Sequence, residues 1–401
     1  MILGIDASRA NVLQRTGTEW YSYFLIREFL SIFGAEEVRL YTKSPLVADF
    51  PPLPQSWSVH ALSWPPRFLW THLRLSAEML VKRPDLLFVP AHTIPLVHPK
   101  KVVTTIHDIG FEHERQLYNQ KTVGATSSAS RGIWDILARA ATLGKYSASE
   151  LDYHRFSARF AVVHATKIIT VSEFTKQEII KTYNADPEKI VVVHNGYNSE
   201  IFTPLRNSAR EKVAQEAVGC GQSYVISIGR LEYKKNTPRL VEAFGVYVKQ
   251  HPESTVRLVL VGSQGFGFDE VAATIKKFNL KQRVCLPGWV EASQYVDLLR
   301  GAQAFIFPSL YEGFGIPLLE AMASGVPVIA SQTTSIPEVV GDAAVLVDPQ
   351  NTSDIADALH KLMSHQDARH HLRERGLERV KQFSWKAAGQ KTAHVLREVM
   401  T

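Results

Sequence analysis

The stretch Pro308-Ser309-Leu310-Tyr311-Glu312-Gly313-Phe314-Gly315-Ile316-Pro317-Leu318-Leu319-Glu320 sets two carboxylates eight positions apart, around two glycines. Gly313 and Gly315 let the backbone turn sharply and approach a ligand. Pro317 fits the first helical position, and Gly325 fits the end of that helix. The pattern predicts a helix N-terminus beneath a glycine loop, whose N–H groups and positive dipole end suit a diphosphate. Glu312 precedes the helix and Glu320 is expected in its first turn. Carboxylates there can accept hydrogen bonds from the paired hydroxyls of a ribose or hexose. The competing reading makes Glu320 a balance for the helix dipole and Glu312 a solvated loop residue.

A second group follows an apolar run: Ser227-Ile228-Gly229-Arg230-Leu231-Glu232-Tyr233-Lys234-Lys235-Asn236. Arg230 offers a planar fork to phosphate and Lys235 a point charge. Cations leaving a strand end suit a departing diphosphate; a surface charge run is the alternative. The chain has no Asp-x-Asp, the signature of metal-bound nucleotide-sugar sites on other folds. Its two cysteines, Cys220 and Cys285, stand in no metal-ligand spacing. Neither a disulfide framework nor a structural zinc is expected, and a reducing cytoplasm is the natural compartment. Cationic side chains and the helix N-terminus would take the electrostatic role of a metal.

These groups need elements to hold them. Strands are predicted at Ile2–Asp6, Val38–Tyr41, Leu86–Val89, Lys101–Ile106, Ile168–Val171 and Ile190–His194, with helices at Glu19–Phe33 and Glu173–Tyr183. The rhythm restarts with strands at Tyr224–Gly229, Val256–Gly262, Val284–Leu286, Ala304–Phe307, Val328–Ala330 and Ala344–Val347, alternating with helical patterns. Strand-helix alternation argues parallel sheets covered on both faces. The fold class is α/β, with two doubly wound, Rossmann-like units facing a cleft. The polar stretch Asn198–Gln222 is taken as the seam. The expected domains are 1–205, completed by a C-terminal helix over 385–401, and 206–384. Ligands of such sheets bind beyond the carboxyl ends of the strands, which is where both groups lie.

Of 401 residues, 45% are hydrophobic and 21% charged, the proportions of a packed globular chain rather than a disordered or fibrous one. The formal net charge of +6 is spread along the chain, without the basic pole of a nucleic-acid binder. The first residues do not read as a signal peptide, and no apolar run is long enough to span a bilayer.

The glycine loop with its two glutamates, together with Gly229-Arg230 and Lys235-Asn236 after a strand, resembles the retaining glycosyltransferases of family 4, which have the GT-B fold. Thr105-Ile106-His107-Asp108, Val171-Ser172-Glu173-Phe174-Thr175-Lys176, Val193-His194-Asn195-Gly196-Tyr197, Val261-Gly262-Ser263 and Leu286-Pro287-Gly288-Trp289-Val290 extend it over nearly the whole chain. The resemblance implies that Arg230 and Lys235 hold the donor diphosphate and that Glu312 hydrogen-bonds the donor sugar. It gives the N–H groups of Gly313, Phe314, Gly315 and Ile316 to sugar and phosphate, Glu320 to the ribose, and Gly288 and Val290 to the base. His107 would reach the donor sugar; a satisfied structural histidine is the alternative. The family often has a glycine pair after the first strand. Here Arg15-Thr16-Gly17-Thr18-Glu19 has one. Gly17 would allow close approach of the donor, and Thr18 would cap the helix. Arg9 and Arg15 are read either as acceptor or phosphate contacts or as solvated loop residues.

The implied activity is metal-independent transfer of a hexose from a nucleotide sugar to a glycan or lipid-linked acceptor, with no cofactor and no nucleic acid as partner. Thr105–Asp108 and Gly17–Trp20 lean toward mannosyltransferases that use GDP-mannose, with UDP-glucose or another UDP-sugar next. A nucleotide-sugar epimerase and a non-catalytic nucleotide-sugar binder are the competing functions. Two segments with cations beside aromatics, Trp64–Arg83 and Arg115–Lys145, raise the expectation of a peripheral contact with the cytoplasmic membrane face. Core aromatics with a solvated cationic face are the competing explanation there.

Overall fold

The computed structural model describes residues 1–64, 69–118, 147, 149–205, 207–221 and 223–401. The chain divides into two compact units: Met1–Asn195 with Trp385–Thr401, and Gly196–Ser384.

In the first unit the described strands are β1 (Leu3–Asp6), β2 (Val38–Thr42), β3 (Trp57–Ala61), β4 (Leu86–Val89), β5 (Lys101–Ile106), β6 (Lys167–Thr170) and β7 (Ile190–Val192). They form one parallel sheet in the order β3-β2-β1-β4-β5-β6-β7. β1 and β4 are buried at every position, as strands covered on both faces must be. The edge strand β3 escapes the sequence pattern because only Trp57 of its five residues is buried. The Trp385–Met400 helix packs on the Gly17–Ile32 helix: Trp385 stacks on Phe24 at 5.3 Å between ring centroids. A Cβ at Gly389 would come within 2.6 Å of Glu28, so the glycine permits this close approach.

In the second unit β8 (Tyr224–Ile228), β9 (Arg257–Val261), β10 (Val284–Gly288), β11 (Phe305–Phe307), β12 (Val328–Ser331) and β13 (Ala344–Val347) form a parallel sheet in the order β10-β9-β8-β11-β12-β13. Strand order reverses between β8 and β11, so the loops after these two strands diverge and leave a crevice between them. Its core joins Leu258, Leu260 and Ile306 of the sheet to Leu240, Val241 and Phe244 of the Thr237–Gln250 helix.

The second unit begins at Gly196, ahead of the boundary expected after residue 205. The intervening segment is tied into it: Phe202 packs edge-on against Tyr295 at 5.4 Å, and Arg300 donates to the carbonyls of Ile201 (2.6 Å) and Thr203 (3.0 Å). Nor is Asn198–Gln222 simply a polar seam. It contains the Ser208–Val218 helix, capped by the Asn207 side chain and ended by Gly219 in the left-handed region (φ 63°).

Candidate active site

In the second unit the predicted donor residues follow three strands of one sheet: β8 and its neighbour β11, and the edge strand β10. After β8 the chain passes through Gly229 at φ 145°, a conformation that favours glycine, and the Lys235 stem lies over it. Asn236, at φ 57°, begins the Thr237–Gln250 helix and donates through its side-chain amide to the carbonyls of Pro308 (3.1 Å) and Pro349 (2.6 Å). This buried amide ties the loop after β8 to the loop after β11. Leu310 N–H adds a second tie by donating to the Lys234 carbonyl at 2.9 Å. The Glu312 turn is held from the other side, where Ser335 donates to the Glu312 carbonyl and Glu312 N–H to the Thr334 hydroxyl.

These constraints bring Lys235 and Glu312 together: Nζ donates to Oε1 at 2.5 Å. Glu312 is buried, not a solvated loop residue. Arg230 is mostly exposed, with Glu232 4.0 Å from its Nε; burial raises the Glu232 carboxyl above its ordinary range. One cation is thus already matched by a carboxylate while the other reaches solvent.

Gly315, at φ 99°, caps the Ile316–Ala323 helix. Ile316 takes the first helical position, with Pro317 next, not first as expected. Glu320 therefore falls beyond the first turn, out of reach of the role of dipole balance. It is half-buried and accepts a hydrogen bond from the Tyr295 hydroxyl. Burial pushes its carboxyl up to about 7, against the smaller opposing effect of Tyr295. Phe314 is buried against Phe383, so its backbone rather than its ring is what a ligand could meet. Gly288, at φ 77°, ends β10 with open space where a side chain would stand, and Val290 lies just beyond it. Trp289 between them is 52% exposed, an aromatic surface that the motif pattern does not single out.

In the first unit His107 follows β5. Its Nε2 lies 3.1 Å from the Pro90 carbonyl, which can only accept, so Nε2 carries the hydrogen. Burial lowers its pKa to about 4, leaving the ring neutral at pH 7 with Nδ1 as an acceptor. The ring also packs edge-on against Tyr21 at 4.6 Å. Gly17 opens the Gly17–Ile32 helix, and a Cβ there would meet nothing within 4 Å. The cap is Thr16, not Thr18. Thr16 N–H donates to Glu19 at 3.2 Å, the return half of a capping box.

Arg15 is neither a ligand contact nor a solvated residue. Its side chain is buried, donates to the Ala10 carbonyl at 2.9 Å, pairs with Asp49, and lies 4.3 Å from the Tyr23 ring centroid. In the segment Trp64–Arg83, Trp70 is buried and donates to the Leu62 carbonyl, and Trp64 packs against the same core. These aromatics are core, which removes them from a membrane face. Arg67, Phe68 and most of Arg115–Lys145, including Lys121, Arg131, Arg139 and Lys145, lie outside the described residues.

Residues 208–379 match the family model for glycosyl transferases group 1, and residues 34–201 match that for glycosyltransferase family 4. The chain is 34% identical over 241 residues to O-antigen chain mannosyltransferase B of Escherichia coli, covering 58% of this chain and 61% of that protein. It is 25% identical over 258 residues to D-inositol 3-phosphate glycosyltransferase of Corynebacterium aurimucosum, covering 63% and 61%. The matched region spans about 60% of the length of these curated relatives. Its fold is similar to that of HepE from Anabaena, solved in complex with UDP-glucose, with a TM-score of 0.70 at 17% identity and 99% of both chains covered.

Proposed function

This chain belongs to glycosyltransferase family 4, with the GT-B fold, and from that membership we propose that it transfers a hexose from a nucleotide sugar to a hydroxyl of a glycan or lipid-linked acceptor, with retention and without a metal. The observation that carries the reading is the Lys235–Glu312 pair beside the glycine-capped Ile316–Ala323 helix, which also bears half-buried Glu320. The arrangement suits each part of a donor. Glu320 takes the ribose hydroxyls. Lys235, Arg230 and the N–H groups from Gly313 to Ile316 meet the diphosphate, and Glu312 accepts from the sugar. The Gly288–Val290 turn, with Trp289 exposed, runs along the base.

The acceptor oxygen attacks the anomeric carbon on the face from which the diphosphate leaves, and its proton passes to the departing phosphate oxygen. Negative charge on the leaving group grows as the bond breaks. Fixed cations and N–H dipoles therefore favour the transition state over the ground state. Neutral His107, whose Nε2–H is engaged by Pro90, accepts a donor hydroxyl through Nδ1; it does not act as an acid.

The likeness to the Escherichia coli mannosyltransferase supports mannose as the sugar moved, and GDP-mannose is the donor in this reading. A UDP-sugar is the second reading, supported by the fold likeness to the UDP-glucose-bound protein. A panel of nucleotide sugars against thermal stability tests both. A donor at about 100 times its Kd should add about 2.7 kcal/mol. If no nucleotide or nucleotide sugar stabilises the protein, the reading falls.

Among the described residues no helix is long and apolar enough to cross a membrane. We place the enzyme in the cytoplasm, with a peripheral contact supported by exposed Leu80 and Val81 beside Lys82 and Arg83. Sedimentation with anionic liposomes at low salt checks this, and an unbound protein would remove the contact.

A further inference from the structure

The first unit has a cavity of about 290 Å³ beyond the carboxyl ends of β1 and β2 and beside β4, where its own strand order reverses. Asp6 ends β1 and is buried, its carboxylate accepting the Ser8 N–H at 2.9 Å. Lys43 follows β2, with its ammonium 5.8 Å from the Trp70 ring centroid. Arg9 and Glu19, 3.5 Å apart, also line it, and Thr93 and Tyr153 supply hydroxyls.

Among the described residues this lining carries two cations, Arg9 and Lys43, and two carboxylates, Asp6 and Glu19. The start of the Gly17–Ile32 helix would otherwise attract an anion, but Glu19 already accepts the Thr16 N–H there and pairs with Arg9. A phosphate entering the cavity would meet the position of an anion already filled by the protein, with a second carboxylate, buried Asp6, in the same lining. Bringing like charges together in a partly dry site is costly. A neutral ring with several hydroxyls faces no such cost: it can accept from Lys43 and Arg9 and donate to Asp6 and Glu19. The volume is near the lower end of ligand pockets, about 300–1,000 Å³, and suits one sugar ring rather than a chain of them.

We propose that this cavity binds the terminal sugar of the acceptor and selects a neutral hexoside over a phosphorylated sugar or polyol, through Asp6, Arg9, Glu19 and Lys43. The proposal rests on the hexosyltransferase reading and names its acceptor class. The similar D-inositol 3-phosphate glycosyltransferase is named for the opposite class, so charge balance here separates two acceptor chemistries.

The test is equilibrium binding to the full-length chain, with saturating GDP or UDP present, of methyl α-mannoside and methyl α-glucoside against mannose 6-phosphate and inositol 3-phosphate, read by ligand-observed NMR. A neutral glycoside should bind at least tenfold more tightly than either phosphate. Lys43→Ala and Asp6→Asn should each weaken it about tenfold, with nucleotide affinity unchanged. Lys43 is near the surface, so its variant serves if the buried Asp6 variant does not fold. Tighter binding of the phosphates, no binding of any of the four, or neutral binding indifferent to Lys43→Ala overturns the proposal. Failure of the hexosyltransferase reading shows separately, as absence of any nucleotide or nucleotide-sugar binding in the thermal assay.

Discussion

Glu320 accepts ribose hydroxyls far better when ionised than when protonated, yet desolvation raises its carboxyl to about 7. Two opposite pH dependences follow. Up to about pH 4.5 both folded and unfolded chains keep this proton. Between there and about 7 the unfolded chain releases it first, so stability falls as pH rises, by on the order of 3 kcal/mol in total. Nucleotide affinity should instead rise through about pH 7. Glu320→Gln should flatten both profiles and weaken the nucleotide at pH 8, as calorimetry would record. Tyr295→Phe removes a bond that favours the charged form, so the affinity profile should move to higher pH. The expected loss is about tenfold at pH 7, the scale of one hydrogen bond to a charged group, with partial recovery at pH 8.5. A loss equal at every pH would mean that Tyr295 only fills space. Lys235→Ala should lower kcat about 100-fold while changing the Kd for nucleoside diphosphate much less, because its partner gains charge in the transition state. Equal losses in both would refute that division. His107→Ala should reduce transfer and leave nucleotide affinity in place.

At the scale of elements, one side-chain amide helps to join two loops that carry donor residues, beside the Leu310–Lys234 backbone bond. Asn236 serves both as the left-handed start of a helix and as donor to Pro308 and Pro349. Asn236→Ala should lose both bonds and strain the backbone; Asn236→Gly should lose the bonds and keep the conformation. Thermal unfolding should place the alanine variant about 2–4 kcal/mol below the parent and the glycine variant between them. The loops after β8 and β9 meet almost backbone to backbone, since a Cβ at Gly262 would fall 1.9 Å from the Gly229 carbonyl oxygen. Any side chain there must move the loop that bears Arg230.

For the whole molecule, turnover should survive chelation. Arg230, Lys235 and the helix N-terminus are proposed to supply the positive potential, so EDTA should leave kcat within about twofold. Abolition by chelator with recovery on adding magnesium or manganese would overturn the assignment. The first unit includes the last helix as well as the first 195 residues. Removing Trp385–Thr401 would uncover Phe24 and the face that Gly389 fits, and should lower the melting temperature of the chain markedly.

Alternating apolar runs and helical periods were enough for two parallel doubly wound sheets, because strands buried on both faces, such as β1 and β4, have to be continuously apolar. The order of glycines, glutamates and cations was enough to select the residues for a donor site. β3 was illegible, since its residues Trp57-Ser58-Val59-His60-Ala61 mix polar with apolar side chains and only Trp57 is buried, and the Ser208–Val218 helix was hidden by its polar exterior. Cap position was misread by two residues, because Thr16 and Thr18 are equivalent until the backbone turns. The fate of charged side chains was decided by tertiary structure alone. Arg15 and Arg9 are both loop arginines, but Asp49, Ala10 and Tyr23 enclose one while the other lines a cavity. Glu320 owes its raised pKa to the enclosing core, and its hydrogen bond to Tyr295, twenty-five positions away. Periodicity reports which face is buried; desolvation and partnership depend on what the fold sets opposite.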